Sequence, residues 1–133
     1  MAAVRGVSLV VAALVAASVA GAAAPVPLRG NFVSKRPTEI PPLDGTWRIE
    51  IAATGAYKVL REGRVLVTGK AVETAKTISF TKEKGALACT GKEGGANSYR
   101  WVLGGTRLTF TAVKDPCESR KLVLTTKPFT KTR

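Results

Sequence analysis

The stretch GTWRIEI, residues 45–51, alternates apolar and polar side chains without interruption. Trp47, Ile49 and Ile51 fall on one side of an extended chain and the charged residues between them fall on the other, because successive side chains of a strand point to opposite faces. This alternation is typical of an antiparallel strand with one buried and one solvated face. Such a strand needs partners to pair with, and the same period recurs further along the chain.

Short alternating segments continue to Phe129 and are separated by glycine-containing turns. After the first strand, the predicted strands and apolar pieces are 57–59, 64–73, 76–81, 86–89, 99–103, 108–112 and 120–126. Gly104-Gly105 is a hairpin signal. No segment has helical spacing long enough to predict a helix. The sequence therefore predicts an all-β fold, a single small antiparallel up-and-down barrel of seven or eight short strands, with a meander sandwich as the alternative.

The predicted inward side chains are bulky, which leaves limited volume for a cavity. They are Trp47, Ile49, Ile51, Tyr57, Val59, Ile78, Phe80, Tyr99, Trp101, Leu103, Leu108, Phe110, Leu122 and Leu124.

The first residues have the pattern of a secretory signal: Arg5 precedes an apolar run and then small residues. We predict a signal peptide over 1–22, with cleavage after Ala20 or Ala24 as alternatives, and secretion to the extracellular space or periplasm. An uncleaved membrane anchor is the other interpretation. Residues 23–42 are proline-rich and predict an irregular arm, either a linker or an element that covers the domain or binds a partner. The barrel domain is predicted over 43–133.

The chain has two cysteines, Cys89 and Cys117. In an exported protein they predict one intramolecular disulfide, because such bonds persist outside the cytosol and stabilise small cores. A redox pair or a metal site needs closer spacing or more ligands, so we expect a structural bond.

The chain carries 21 Lys and Arg against 9 Asp and Glu, a net charge of +12. A strongly cationic protein attracts anionic partners such as acidic polysaccharide, lipid phosphate or an acidic protein. Nucleic acid is the least expected of these for an exported protein. Solvated strand faces are the alternative explanation, since most of the bases are interleaved with apolar residues.

A combination of motifs resembles small exported proteins of the lipocalin and wider calycin group. It consists of Gly45-Thr46-Trp47, the segment 99–105 with 108–111, and the segment 115–120. The resemblance implies that Arg120 packs over Trp47 by a cation–π contact, as a structural pair. It also implies a ligand pocket, whose walls would be Tyr57, Phe80, Tyr99 and Phe110. Core packing is the alternative role for each of these four aromatic residues.

The chain contains no histidine. Ser-His-Asp and Cys-His catalysis and imidazole metal sites are therefore excluded, and we predict a non-enzymatic protein without cofactor or metal. Asp115 and Glu118 flank Cys117, where a turn explains them better than acid–base chemistry.

Three functional hypotheses remain. The first is a lipocalin-like binding protein for a small apolar or amphipathic ligand. The second is a protein-binding module, such as an inhibitor of a secreted enzyme, that uses the arm or an end loop such as 91–95. The third is attachment to an anionic envelope polymer, for which Arg100 between Tyr99 and Trp101 is the aromatic-basic cluster.

Overall fold

The computed structural model describes residues 27–36, 43–74 and 76–133. The predicted signal peptide, its cleavage site and most of the predicted arm lie outside these residues. The described chain contains eight strands and one α-helix, together with a short 3-10 helix at Gly91–Gly94. In chain order they are β1 (Gly30–Arg36), β2 (Gly45–Ile51), β3 (Ala56–Arg61), β4 (Arg64–Glu73), β5 (Thr77–Lys84), β6 (Ser98–Gly104), β7 (Arg107–Lys114), α1 (Glu118–Thr125) and β8 (Phe129–Thr132).

The strands form one closed antiparallel barrel in the order β1-β2-β3-β4-β5-β6-β7-β8, and β8 pairs back onto β1. This confirms the predicted all-β class, the up-and-down barrel and its upper strand count. Within the described residues, no helix has the length and apolar character needed to cross a membrane.

The alternation that predicted β2 is the alternation that the barrel uses. Trp47, Ile49 and Ile51 are buried in the interior, and Arg48 between them is exposed. Inward side chains of all eight strands meet in one apolar core, to which α1 adds Val123 and Leu124. Of the predicted inward set, only Leu122 is exposed, while Val59, Trp101 and Leu103 are partly buried.

Strand β1 corrects the prediction of an irregular arm over 23–42 and of a domain that begins at 43. Residues Gly30–Arg36 pair with β2 along their full length, and Phe32 is completely buried. The prediction missed this strand because its other two inward side chains are polar. Ser34 and Arg36 are both buried, so the expected apolar alternation stops after Phe32.

Helix α1 corrects the prediction of a last strand over 120–126. Arg120, Val123 and Leu124 are its buried residues, at the i, i+3 and i+4 spacing of one helix face. The helix is only two turns long, and its Leu122 and Leu124 imitate the period of a strand. The last strand is β8, which begins at Phe129.

The two ends of the barrel differ. The helix end carries α1, the β3–β4 turn and the long β5–β6 connection at 85–97, whereas the hairpin end carries the β2–β3, β4–β5 and β6–β7 turns. At the hairpin end, Leu28 is buried and its backbone N–H donates to the Glu73 carboxylate at 2.8 Å. Chain preceding β1 thus packs against the end of β4.

Candidate functional site

The four aromatic residues predicted to line a pocket do come together inside the barrel, where they pack against one another. Tyr57 and Phe80 have ring centroids 4.9 Å apart, and Phe80 lies 5.9 Å from Tyr99 and 6.3 Å from Phe110, all in edge-on orientations. Phe129, which was not predicted, extends the cluster at 6.2 Å from Phe110. All five rings are buried, so they fill the space that a ligand would occupy.

The interior cavity that remains beside these rings is small, about 40 Å³. Its walls are mainly apolar, and α1 closes it at the helix end with Arg120, Val123 and Leu124. Sites for drug-sized molecules have volumes of roughly 300–1,000 Å³. The cavity can hold water, but an amphipathic ligand needs several times this space.

A buried polar cluster borders the cavity. Arg120 donates to Asp115 through two nitrogens, with Nε to Oδ2 at 2.7 Å and Nη2 to Oδ1 at 2.6 Å, and a third nitrogen pairs with Glu83. The side chains are nearly inaccessible, at 7% for Arg120, 6% for Glu83 and 0% for Asp115. One cation is therefore held between two carboxylates that come from β5 and from the turn before α1.

Both tyrosine hydroxyls of the chain complete this cluster. Tyr57 donates to Glu83, and Tyr99 donates to Asp115. Burial, followed by the hydrogen bond to Glu83, raises the pKa of Tyr57, and burial followed by the bond to Asp115 raises the pKa of Tyr99. The tyrosines therefore resist deprotonation and act as donors to the two carboxylates.

The charges in the cluster reinforce one another. Burial alone would raise the pKa of Asp115, but hydrogen bonds from Arg120, Tyr99 and the Cys117 amide outweigh it and hold the pKa below its usual value. Burial would likewise lower the pKa of Arg120, but the Asp115 hydrogen bond and the Glu83 charge raise it overall. Both shifts favour the charged forms of Asp115 and Arg120, and this ion pair ties α1 to the barrel.

The cations over Trp47 are Arg36, at 5.9 Å from the ring centroid, and Arg61, at 5.4 Å. The predicted partner, Arg120, is turned instead to its two carboxylates, because a buried guanidinium gains more from ion pairs than from a ring face. Arg36 also donates to the carbonyl oxygen of Val123 in the last turn of α1. Burial lowers the pKa of the Arg36 guanidinium. Sequence reasoning missed both cations, and one of them, Arg36, lies in β1, the strand that it also missed.

The predicted disulfide is confirmed. Cys89 and Cys117 are bonded, with their Cα atoms 6.1 Å apart, and both residues are buried. The bond joins the β5–β6 connection to the residue that precedes α1.

Asn97 fixes the other end of the same connection. Its side-chain amide accepts a hydrogen bond from the Phe80 N–H at 2.8 Å and donates to the Phe80 carbonyl at 2.7 Å. The amide thereby replaces a backbone partner for β5 at the point where β6 begins. Asn97 is buried, so both bonds are shielded from water.

Between these two fixed points lies a loop, residues 90–96, that we call the anchored loop. Every residue in it is exposed, and its centre is the 3-10 helix Gly91–Gly94. Gly94 lies against the Cys89 carbonyl, where an added Cβ would approach to 3.0 Å. The anchored loop thus projects from the helix end on a short, cross-linked base.

The exterior of the barrel is basic because Lys and Arg outnumber Asp and Glu and because most of the described acidic side chains are already engaged, although Glu93 in the anchored loop is exposed and is not. Ion pairs or hydrogen bonds use Asp44, Glu50, Glu62, Glu73, Glu83, Asp115 and Glu118. Among the described residues, no ion pair holds the exposed lysines Lys82, Lys84, Lys92 and Lys114. Lys92 is in the anchored loop, and Lys84 and Lys114 end β5 and β7 at the same end of the barrel.

The outer wall also has one shallow groove of about 330 Å³ over β1 to β4. Asn31, Glu50, Lys58 and Thr68 line it, and they form one row of register partners across the four strands. The groove is partly open to solvent, so a small molecule in it would keep part of its surface in water, unlike the ligands of enclosed pockets.

Fold and site together define a small closed antiparallel β-barrel with one disulfide and a filled interior. The chain matches no protein-family model, no curated protein and no solved structure. In the described part of the chain, no group of three or more Cys, Asp or Glu side chains is placed to hold a metal ion.

Proposed function

We propose that this chain is a secreted, non-enzymatic binding protein that recognises a protein partner with the outside of its barrel, through the anchored loop at residues 90–96. The observation that carries the proposal is the combination of a full exposure of this loop with fixed attachment at both of its ends. The barrel serves in this account as a rigid support.

The interior supports binding on the outside. A remaining volume of about 40 Å³ is far below what a small organic ligand needs. The tyrosine tips that a pocket would offer to a ligand are already bonded to Glu83 and Asp115. The lipocalin-like character of the chain would therefore lie in its Gly-x-Trp start and its barrel, with the ligand site moved to the end loops.

Attachment at both ends makes the loop suited to recognition. A loop that must be ordered on binding loses conformational entropy, and this cost lowers the affinity. The Cys89–Cys117 bond and the Asn97 amide restrict the loop before a partner arrives. Restricted loops on a rigid scaffold are a common means of binding.

Charge indicates the kind of surface that fits. Lys82, Lys84 and Lys114 around the base of the loop form no ion pair among the described residues. Within the loop, Lys92 is followed by the exposed Glu93, so the excess positive charge comes from the base. An acidic protein surface would be attracted to this end of the barrel. Secretion is supported by the buried disulfide together with the signal-like start of the sequence.

An anionic envelope polymer is a second candidate, since lysines with no ion pair among the described residues occur on the outer wall as well, for example Lys58 and Lys70. A polymer would be held by the whole basic surface, and its binding would weaken steeply with salt. A partner of the anchored loop would depend on that loop.

The test is site-specific photo-cross-linking in the organism that makes the protein. A photoreactive amino acid replaces Lys92 in the anchored loop, and in the matched control it replaces Ala53, which is exposed in the β2–β3 turn at the other end of the barrel. The proposal expects a discrete protein adduct from position 92 and none from position 53. Asn97→Ala should reduce the adduct, because it releases one end of the loop.

Equal labelling from both positions, or adducts that salt alone removes, would favour the polymer and contradict the loop. A small organic molecule released from the unmodified protein on denaturation would contradict the filled interior.

A further inference from the structure

Over about half of its length, strand β6 is paired with a neighbour on only one of its two sides. With β7 it forms a complete ladder from Ser98 to Gly104. With β5 it forms two pairs, Ile78 with Tyr99 and Thr77 with Arg100. Arg100 pairs with Thr77, which is the first residue of β5, and β6 extends past this point toward the hairpin end. Residues 101–104 therefore have no ladder partner on this side within the described chain.

The β6–β7 turn fixes which backbone groups face this open side. Gly105 and Thr106 form a two-residue turn between the paired residues Gly104 and Arg107, and Gly105 has φ of +60°, as the first position of a type II′ turn requires. Residues that close such a turn exchange hydrogen bonds with each other, and the pattern then alternates. Gly104 and Val102 therefore bond to β7, and the N–H and C=O groups of Trp101 and Leu103 point away from it.

Two side chains along this edge have no partner in the described chain. Val102 is 67% exposed, the highest value among the large apolar residues of the described chain. The Trp101 indole N–H is buried and has no acceptor within the described residues. An added strand would supply carbonyl oxygens on this side of β6 and would cover the valine.

The charged side chains around this edge are basic, and they favour an acidic partner. Arg100 is exposed on β6 itself, Arg107 is exposed across the turn, and Lys76 is exposed just before β5. A second copy of the chain, paired edge to edge, would bring like charges together and would be repelled. The chain's own residues 6–28, before β1, contain no acidic side chain to meet these cations.

We infer that the edge of β6 from Trp101 to Gly104 binds an extended, acidic segment of another protein by strand addition. Backbone hydrogen bonds to Trp101 and Leu103 hold the segment, and its acidic side chains face Arg100 and Arg107. This edge lies at the hairpin end, opposite the anchored loop, so the inference does not depend on the function proposed above.

The test uses a synthetic peptide of alternating glutamate and valine, blocked at both ends, with amide resonances of the full mature chain followed by NMR. The inference expects saturable shifts centred on Trp101 to Gly104, and slower hydrogen exchange at the Trp101 and Leu103 amides. The same peptide with every backbone nitrogen methylated should not bind, because neither of its edges can then donate to the ladder.

Arg100→Glu should lower the affinity for the peptide by about tenfold or more, because it places like charges together. Lys127→Glu, an equal change of charge at an exposed site outside the strands, should change the affinity much less. Saturation without protection of the two amides, or no saturation up to about millimolar peptide, would overturn the inference. Slow exchange of the Trp101 and Leu103 amides in the free protein would also overturn the inference. If this protection does not depend on protein concentration, a segment of the same chain covers the edge; if dilution removes it, a second copy does.

Discussion

Arg120 and Asp115 form a two-point ion pair that is closed off from solvent between helix α1 and the barrel. Its two nitrogen–oxygen distances are 2.7 and 2.6 Å, and the side chain of Asp115 is completely inaccessible. Arg120 also neutralises Glu83. Because both carboxylates depend on one cation, the helix end of the barrel should be sensitive to its loss.

Arg120→Met should lower the free energy of unfolding by about 3–5 kcal/mol, because it leaves two buried carboxylates without a counter-ion. Urea unfolding followed by circular dichroism at neutral pH measures this change. Lys121→Met is the matched control. It removes the neighbouring, partly exposed cation and its surface ion pair with Glu118, and should cost no more than about 1 kcal/mol. Equal losses for the two variants would show that the buried pair has no special role.

Acid should destabilise the protein in part through Asp115. Folding holds the pKa of this carboxyl below its ordinary value of 3.8, so the unfolded chain takes up the proton more readily. The resulting stability is present above the ordinary pKa and is lost as the pH falls through the lowered one. Urea midpoints measured between neutral pH and about pH 2 should therefore fall less steeply for Asp115→Asn than for the wild type. Parallel curves would show that Asp115 does not contribute.

Alkali should reveal both tyrosines as buried donors. The chain has two tyrosines, and the pKa of each is raised above the ordinary value of 10.0. A raised pKa stabilises the fold below pH 10 and loses this contribution as the pH rises further. Absorbance of tyrosinate should therefore stay absent from the native protein above pH 10 and appear together with unfolding. A reversible titration of the folded protein near pH 10 would contradict the assigned hydrogen bonds.

Asn97→Ala should lower the free energy of unfolding by about 2–4 kcal/mol, because the Phe80 N–H and C=O both lose their partner inside the barrel. It should also speed hydrogen exchange in residues 90–96. Ser98→Ala, one residue further along and half-buried, is the control and should leave both quantities close to the wild type. Unchanged exchange in the loop would mean that the disulfide alone restricts it.

The parts of the fold that could be predicted are those in which a local pattern matches the final environment. Strand β2 is half-buried, so the alternation of Trp47, Ile49 and Ile51 is visible in the sequence. Strand β1 could not be recognised from the sequence because Ser34 and Arg36 are polar yet face inward. Their burial depends on partners such as the α1 carbonyl that Arg36 reaches, which no local pattern contains.

For the candidate site, the residues could be predicted from the sequence but their contacts could not. The aromatic residues of the interior and the disulfide follow from alternation and cysteine number, but their consequences do not. Whether Tyr57 and Phe80 line a cavity or fill it depends on how closely opposite walls approach. Glu83 and Arg120 meet across 37 positions of the chain, and Asn97 reaches Phe80 across 17. Contacts at such separations are fixed by closure of the barrel.

The central claim is that the barrel is filled and acts through its outside. Its most direct test is a high-resolution crystal structure of the oxidised mature protein, purified from the organism that makes it so that any natural ligand is retained. The account predicts an interior volume near 40 Å³ that holds at most water, with Tyr57 bonded to Glu83 and Tyr99 bonded to Asp115. An organic molecule in an interior space of roughly 300 Å³ or more, with these tyrosines turned toward it, would contradict the account.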